Sequence, residues 1–240
     1  MLLIVHKKRN LRNETALALS AFNDNWSMKE RHGLGMKRTN STLSFSRVEQ
    51  YSSRRFHEAM QIYRTEFSRD TGLPIPRIRE LLQVGNYQLL IGQHEQQVLV
   101  FALIWICQKP AFVHLDYFAV AEEWQRKGIG TTLYRWLTDH LTDFSPRAQL
   151  LTLEVEDDLI AFYRRSSTRL LADVAYLFPG PFGPVPMHLM AYDALGRTSL
   201  GRESVRGIIR GLYCGLHNRP AQDPLLRSCL ARIPQQISLT

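Results

Sequence analysis

The chain has 240 residues, 45% of them hydrophobic, with 30 Lys and Arg against 22 Asp and Glu for a net charge of +8; these values describe one globular core with some additional length. The longest apolar runs, residues 1–5 and 98–106, fall short of the roughly 20 residues a membrane-spanning helix needs, which excludes a transmembrane span. Three separated cysteines, Cys107, Cys214 and Cys229, provide neither a C-x-x-C pair nor a disulfide framework and point to a reducing, cytoplasmic compartment.

The charge is unevenly distributed. Residues 1–40 carry 8 basic and 3 acidic side chains and residues 195–240 carry 7 and 2, so each end is +5; the middle, with 15 and 17, is −2. Basic ends suit either solvated tails or contacts to an anionic partner such as nucleic acid, a ribosome or a membrane surface. At the N-terminus an apolar run precedes His6, Lys7, Lys8 and Arg9, the reverse of an export signal. A weak helical pattern through Leu11, Ala16, Leu19 and Phe22 breaks at Gly33 and Gly35, which reads as a poorly ordered extension, and Met36 is an alternative start of translation.

Domain-like pattern begins near Leu43. Alternation over 42–48 predicts a strand, and Phe56, Met60, Ile62, Tyr63 and Phe67 predict a helix over 52–67. After Pro74 and Pro76 come a second helix over 77–83 and a hairpin of strands 87–92 and 98–107 turning at His94, Glu95 and Gln96. A fourth strand over 112–120 leads into a helix over 128–141. A fifth strand covers 150–155, a short helix 159–165, and two last strands, 170–177 and 187–192, flank a Pro- and Gly-rich turn at 179–184. The order is β-α-α-β-β-β-α-β-α-β-β. Beyond Ala194, Val205, Ile208, Ile209 and Tyr213 place one face on a helix over 202–216.

The segment from Leu115 to Thr131 carries the chemistry: an apolar strand enters a glycine-containing turn and then a helix. Gly128 and Gly130 permit close backbone approach, and the unpaired amides of a helix N-terminus meet negative charge at the positive end of the dipole. Arg126 and Lys127 add positive charge, and Ile129, Leu133, Trp136, Leu137 and Leu141 form a stripe that anchors the helix to the sheet. Neither G-x-x-x-x-G-K-[ST] nor G-x-G-x-x-G is present, which excludes a nucleotide P-loop and a dinucleotide fingerprint.

What is present is Gln125-x-x-Gly128-x-Gly130 after the strand, followed by Leu151-Thr-Leu-Glu-Val-Glu156 and Ala161-Phe-Tyr-Arg-Arg165. Over about 150 residues, 42–193, the chain resembles the GNAT superfamily of acetyl-CoA-dependent N-acetyltransferases. The resemblance implies a mixed, largely antiparallel α/β (α+β) sheet flanked by helices. It also implies that Gln125, Arg126, Lys127, Gly128, Ile129, Gly130 and Thr131 hold the pyrophosphate of acetyl-CoA. In the fourth strand, backbone groups of Phe118, Ala119 and Val120 would grip pantetheine beside a bulge. Glu154 matches the family's general base and Tyr163 the tyrosine that protonates the departing thiolate.

A base is needed because only a neutral amine attacks a thioester: a lysine is on the order of 0.1% neutral near pH 7.4, an α-amine roughly 30%. Glu156, on the same strand face as Glu154, and Asp116 are the alternative carboxylates. A neighbouring arginine would give Glu154 a structural role instead. His114 reads as a packed strand residue, and eight scattered histidines imply no metal. Arg164 and Arg165 are candidates for the CoA phosphates, and Tyr63 and Phe67 either line the acceptor pocket or fill the core. Only nine positions separate Glu154 from Tyr163, Asp158 stands nearest to the family's asparagine, and Ser167-Thr168 replaces its Gly-Phe.

The division is therefore 1–41, a basic extension; 42–194, an N-acetyltransferase domain; and 195–240, a basic C-terminal extension with a helix. The expected reaction moves acetyl from acetyl-CoA to a primary amine, with a protein α-amine, a lysine and a small amine all open as acceptors. The alternative is a non-catalytic module of the same fold whose basic ends contact nucleic acid or a ribosome.

Overall fold

The computed structural model describes residues 43–67, 72–180 and 182–240, so expectations for the N-terminal extension, including a start at Met36, lie outside the described residues. Strand β1 (Ser44–Arg47) is followed by helices α1 (Arg54–Glu66) and α2 (Ile75–Val84), then strands β2 (Tyr87–His94), β3 (Gln97–Gln108) and β4 (Ala111–Val120). Ser53 caps α1 by accepting from the Phe56 amide, and Pro74 precedes α2, where a missing N–H costs nothing. Helices α3 (Ile129–Asp139) and α4 (Leu141–Phe144), strand β5 (Leu150–Val155) and helix α5 (Asp157–Arg164) come next. The helix expected over 128–141 is α3, which ends before His140, and a short helix α4 follows it.

Strands β6 (Arg169–Leu170), β7 (Tyr176–Gly180) and β8 (Gly183–Asp193) complete the main sheet, whose order is β1-β2-β3-β4-β5-β8-β6, with β7 paired to β8 off that path. Among the described residues only β4 and β5 run parallel; every other pair is antiparallel. The one strand expected over 170–177 is thus two, separated where Asp173 takes a φ of 60°. The β7–β8 hairpin, conversely, pairs as far as Gly180 with Gly183, because its prolines lie on an edge that needs no amide donor.

The alternation of each strand divides the core between two faces. Leu151, Leu153 and Val155 of β5 pack with Leu133, Leu137, Leu159 and Tyr163 of α3 and α5. The other face packs on α1, α2 and the C-terminal segment.

That C-terminal segment is built into the core. It comprises β9 (Ser199–Gly201), α6 (Arg202–Arg210) continuing as a π-helical stretch Gly211–Leu216, α7 (Pro224–Ala231) and β10 (Gln236–Ser238), which pairs with β9. Val205, Ile208, Ile209 and Tyr213 are all buried, as their spacing predicts. Leu170 and Thr240 exchange backbone hydrogen bonds of 2.7 and 3.0 Å, tying the last residue to β6. Four of the segment's seven arginines serve its own chain: Arg197 pairs with Asp193, Arg219 with Asp223, and Arg202 and Arg206 donate to the carbonyls of Pro234 and Leu230.

The π-helical stretch lies so close to β3 that a Cβ on Gly215 would stand 2.6 Å from Cζ2 of Trp105. Gly215→Ala should therefore lower stability by about 1–3 kcal/mol, the usual cost of overpacking, in urea denaturation with an unchanged m-value.

Candidate functional site

The turn between β4 and α3 is shaped by two left-handed residues, Arg126 at φ 62° and Gly128 at φ 78°. They reverse the chain on either side of Lys127 so that α3 starts at Ile129 with no side chain capping its first amides. A Cβ built on Gly128 would meet nothing within 4 Å, so the surface over the turn is open. The Gln125 side chain faces inward, donating to the Val120 carbonyl and Glu66 Oε1, both at 3.1 Å, and clasps the turn to β4 and α1. Lys127 Nζ sits 4.5 Å over the Trp124 ring. Leu133, Leu137 and Leu141 of the predicted stripe are buried, while Trp136 is half-buried against Phe45.

Strand β4 carries a bulge. Leu103 pairs with Tyr117 and Ile104 with Leu115, leaving Asp116 as the extra residue. Beyond this point β4 and β5 part: their pairing covers only Val113, His114 and Leu115 with Leu151, Thr152 and Leu153. Phe118, Ala119 and Val120 pair with β3 alone, and Glu154 and Val155 with β8 alone. The sheet therefore opens into a V, with residues 118–120 on one lip and Glu154 on the other.

Glu154 is fully buried on the face toward the C-terminal segment. Its Oε1 accepts from the hydroxyl of Tyr176 on β7 and lies 3.1 Å from Nε2 of His217, the residue that ends the π-helical stretch. Its Oε2 accepts no hydrogen bond and stands 3.8 Å from Nε2 of His114, whose Nδ1 lies 3.0 Å from Thr152 Oγ1. Asp116, in the bulge, accepts from the Tyr87 hydroxyl. The rings of Tyr63 and Phe67 pack edge-on against Tyr117, at 5.1 and 5.0 Å, and both also line a cleft with Leu73 and Ile75, so they are core and cleft wall at once.

The two carboxyls are driven apart. Burial alone would raise Glu154, but the charge and hydrogen bond of His217, together with His114 and Tyr176, hold it down at about 2. Burial lifts Asp116 to about 7, with the Tyr87 bond and His217 opposing and Glu154 assisting. For His217, burial lowers the pKa, and Glu154, with Asp116 behind it, raises it above the ordinary 6.5. Carboxyls separated in this way are suited to different tasks in one site.

Tyr163, on α5, is on the opposite face, fully buried against α3, its ring 5.2 Å from Tyr134 and its hydroxyl without a hydrogen-bond partner. Burial pushes its pKa well above 10, so it stays a phenol. No hydrogen bond or ring contact joins it to Glu154; the two flank the V from opposite faces. The short spacing is met by starting α5 at Asp157, directly after the strand, which leaves Glu156 as the residue before the helix, outside β5. Arg164 and Arg165 are exposed, with Arg165 over Phe162.

Ser167-Thr168 keeps the turn after α5. Ser167 takes φ 59°, the amides of Ser167 and Thr168 bond to the carbonyls of Arg164 and Tyr163, and Thr168 Oγ1 lies 2.6 Å from the Tyr134 hydroxyl. This is a helix-ending motif normally closed by glycine. Tyr176 and His217 are the residues that sequence reasoning missed; they stand 22 and 63 positions from Glu154, and no local pattern marks them.

Residues 54–167 match a family model described as the acetyltransferase (GNAT) family. No curated protein matches the chain in sequence. Among solved structures, a GNAT-family chain from Bacteroides thetaiotaomicron is similar with a TM-score of 0.60 and 20% identity, covering 74% of this chain and 99% of its own. The ribosomal-protein-S18-alanine N-acetyltransferase from Escherichia coli has a TM-score of 0.48 at 19% identity, covering 64% of this chain and 94% of its own. An acetyltransferase from Bacillus subtilis in complex with CoA gives 0.47 at 14%, covering 63% and 99%.

Two measurements check the geometry. Ser167→Gly should raise stability by about 1 kcal/mol, since a left-handed conformation strains serine more than glycine. Asp116, raised to about 7, favours the folded state while protonated, so that contribution is lost as pH rises from about 4 to 7. Asp116→Asn should lack this loss, and its stability relative to the wild type, followed by urea denaturation against pH, should climb across that window.

Proposed function

We propose, from the premise that residues 54–167 match the acetyltransferase (GNAT) family model, that the chain transfers an acetyl group from acetyl-CoA to a primary amine. The observation that carries this reading is the V between β4 and β5, with a free strand edge on one lip, the Glu154 carboxylate on the other and the open Gly128 turn nearby.

Acetyl-CoA fits the residues present. The uncapped amides at the start of α3, with Arg126, Lys127, Gly128, Ile129, Gly130 and Thr131, would receive its pyrophosphate, and Gln125 holds the turn in place. The edge of Phe118, Ala119 and Val120 that does not pair with β5 would take the pantetheine amides, and the orphaned Tyr163 hydroxyl lacks the partner that a departing sulfur supplies. When bound, the cofactor contributes an acyl group already activated as a thioester, so forming the C–N bond and breaking the C–S bond need no further reactant.

The protein's own groups divide the remaining work. Glu154, ionised at any physiological pH, orients the acceptor amine and stabilises positive charge that builds on its nitrogen. Of Glu154 and Asp116, Asp116 has the value nearer neutrality, and we assign the proton of the amine to it. Tyr163, kept a phenol by burial, protonates the sulfur. A carboxylate that accepts no bond at Oε2 favours a cationic acceptor: a protein α-amine, a lysine or a small polyamine-like molecule.

The alternative, a non-catalytic module with basic ends, loses support in the C-terminal segment, where four arginines are committed to their own chain and Ser167 preserves the turn. One titration separates the two readings. Acetyl-CoA at about 100 times its dissociation constant should add roughly 2.7 kcal/mol, raising Tm by about 5–10 °C, and Tyr163→Phe should keep that shift while losing about ten- to hundredfold in kcat. A folded protein with no shift would sink the enzyme reading.

A further inference from the structure

We propose that the C-terminal segment completes the acceptor site, with His217 as the positioning residue that anchors one oxygen of Glu154 and leaves the other for the incoming amine. The proposal rests on the acetyltransferase reading above for the identity of the acceptor, but the anchoring itself does not.

The geometry is asymmetric. Both donors that reach Glu154, the Tyr176 hydroxyl and His217 Nε2, converge on Oε1. Oε2 accepts nothing, although it is buried, and His114 Nε2 at 3.8 Å is beyond hydrogen-bond range. A buried carboxylate oxygen left without a donor is costly, and an ammonium group with its three N–H donors satisfies it. Fixing the carboxylate through Oε1 therefore turns Oε2 into a receptor of defined direction.

The anchor belongs to a part of the chain that the family-matched span does not contain. Residues 54–167 include Glu154 but neither Tyr176 nor His217. His217 is held in place by the fold of the C-terminal segment: its ring packs edge-on against Phe178 at 5.0 Å, its amide bonds to the Leu212 carbonyl, and Arg219 beyond it pairs with Asp223. The π-helical stretch sets where this residue emerges. A wider helical turn at Gly211–Leu216 shifts the helix end relative to an α-helix, and Gly215 lets it pass against Trp105. His217 is also the rim of the cluster: its side chain is 12% exposed against 1% for Glu154.

The charged and titratable groups facing His217 come from several elements: Glu154 on β5, Asp116 and His114 on β4, Tyr176 on β7, Tyr213 on the same helix and Arg219 just after it. Burial and Arg219 oppose a charged imidazole, but the carboxylates outweigh them and raise its pKa above the ordinary 6.5.

The test uses the full chain. Steady-state kinetics with acetyl-CoA and a panel of primary amines should show that His217→Ala raises the amine KM roughly ten- to hundredfold, the scale of a hydrogen bond to a charged group, and leaves the acetyl-CoA KM unchanged. His217→Gln, which keeps an N–H donor, should recover part of that loss. An unchanged amine KM in both variants would overturn the proposal, as would equal rises for both substrates. A separate arm needs no activity: in the unliganded protein, the His217 imidazole followed by NMR should titrate above 6.5, and Glu154→Gln should bring it down. A His217 signal indifferent to Glu154→Gln would overturn the anchoring even if the chain acetylates amines. Absence of acetyl-CoA binding in the wild type would instead overturn the acetyltransferase reading while this arm still decides the anchoring.

Discussion

A carboxylate removed from water must be compensated by its surroundings, and the burial of Glu154 makes that requirement the constraint around which three parts of the molecule are arranged. Its compensation comes from Tyr176 on the β7–β8 hairpin and His217 at the end of the π-helical stretch, with His114 across the V on β4. The hairpin, the C-terminal segment and the sheet are thereby joined at one charged atom pair, and moving any of them leaves a buried charge exposed to a poor environment. A structural ion pair in this position would satisfy both carboxylate oxygens. This one gives Oε1 two hydrogen bonds and Oε2 none, with His114 Nε2 3.8 Å from Oε2.

The second constraint is the parting of β4 and β5. Two parallel strands joined by a long crossover pair at only three positions, and the bulge at Asp116 alters the twist of β4 just where pairing ends. Past that point the two strands no longer pair. Tyr163 is packed on the face of α3 and α5, and Glu154 and Asp116 on the face of the C-terminal segment and Tyr87. Glu154 and Tyr163 accordingly lie on opposite faces of the sheet, nine positions apart in the chain.

Charge has a different meaning in sequence and in space. The C-terminal 46 residues are as basic as the first 40 when counted, yet Arg197, Arg202, Arg206 and Arg219 are hydrogen-bonded within the chain, two of them to helix-end or loop carbonyls that would otherwise lack a donor. A basic count is a statement about solubility and encounter, whereas a guanidinium with five N–H groups is also a means of closing turns.

What the sequence determined by itself is everything that depends on local period and local chemistry. The order of the main strands, the strand-turn-helix at residues 115–131, the buried stripe of α3 and the face formed by Val205, Ile208, Ile209 and Tyr213 follow from alternation, helical spacing and short motifs, because neighbours in the chain share these elements; the candidacy of Glu154 and Tyr163 comes from the family resemblance alone. The tertiary structure alone decided the rest. It split the expected strand over 170–177 at Asp173 and made the C-terminal segment, with α7, β9 and β10, part of the core. It put serine in a glycine's conformation at position 167. Above all it brought His217 to Glu154 across 63 positions and separated the titration of two neighbouring carboxyls. Burial and electrostatic pairing are properties of the folded interior, summed over groups from distant segments, and no window of sequence contains them.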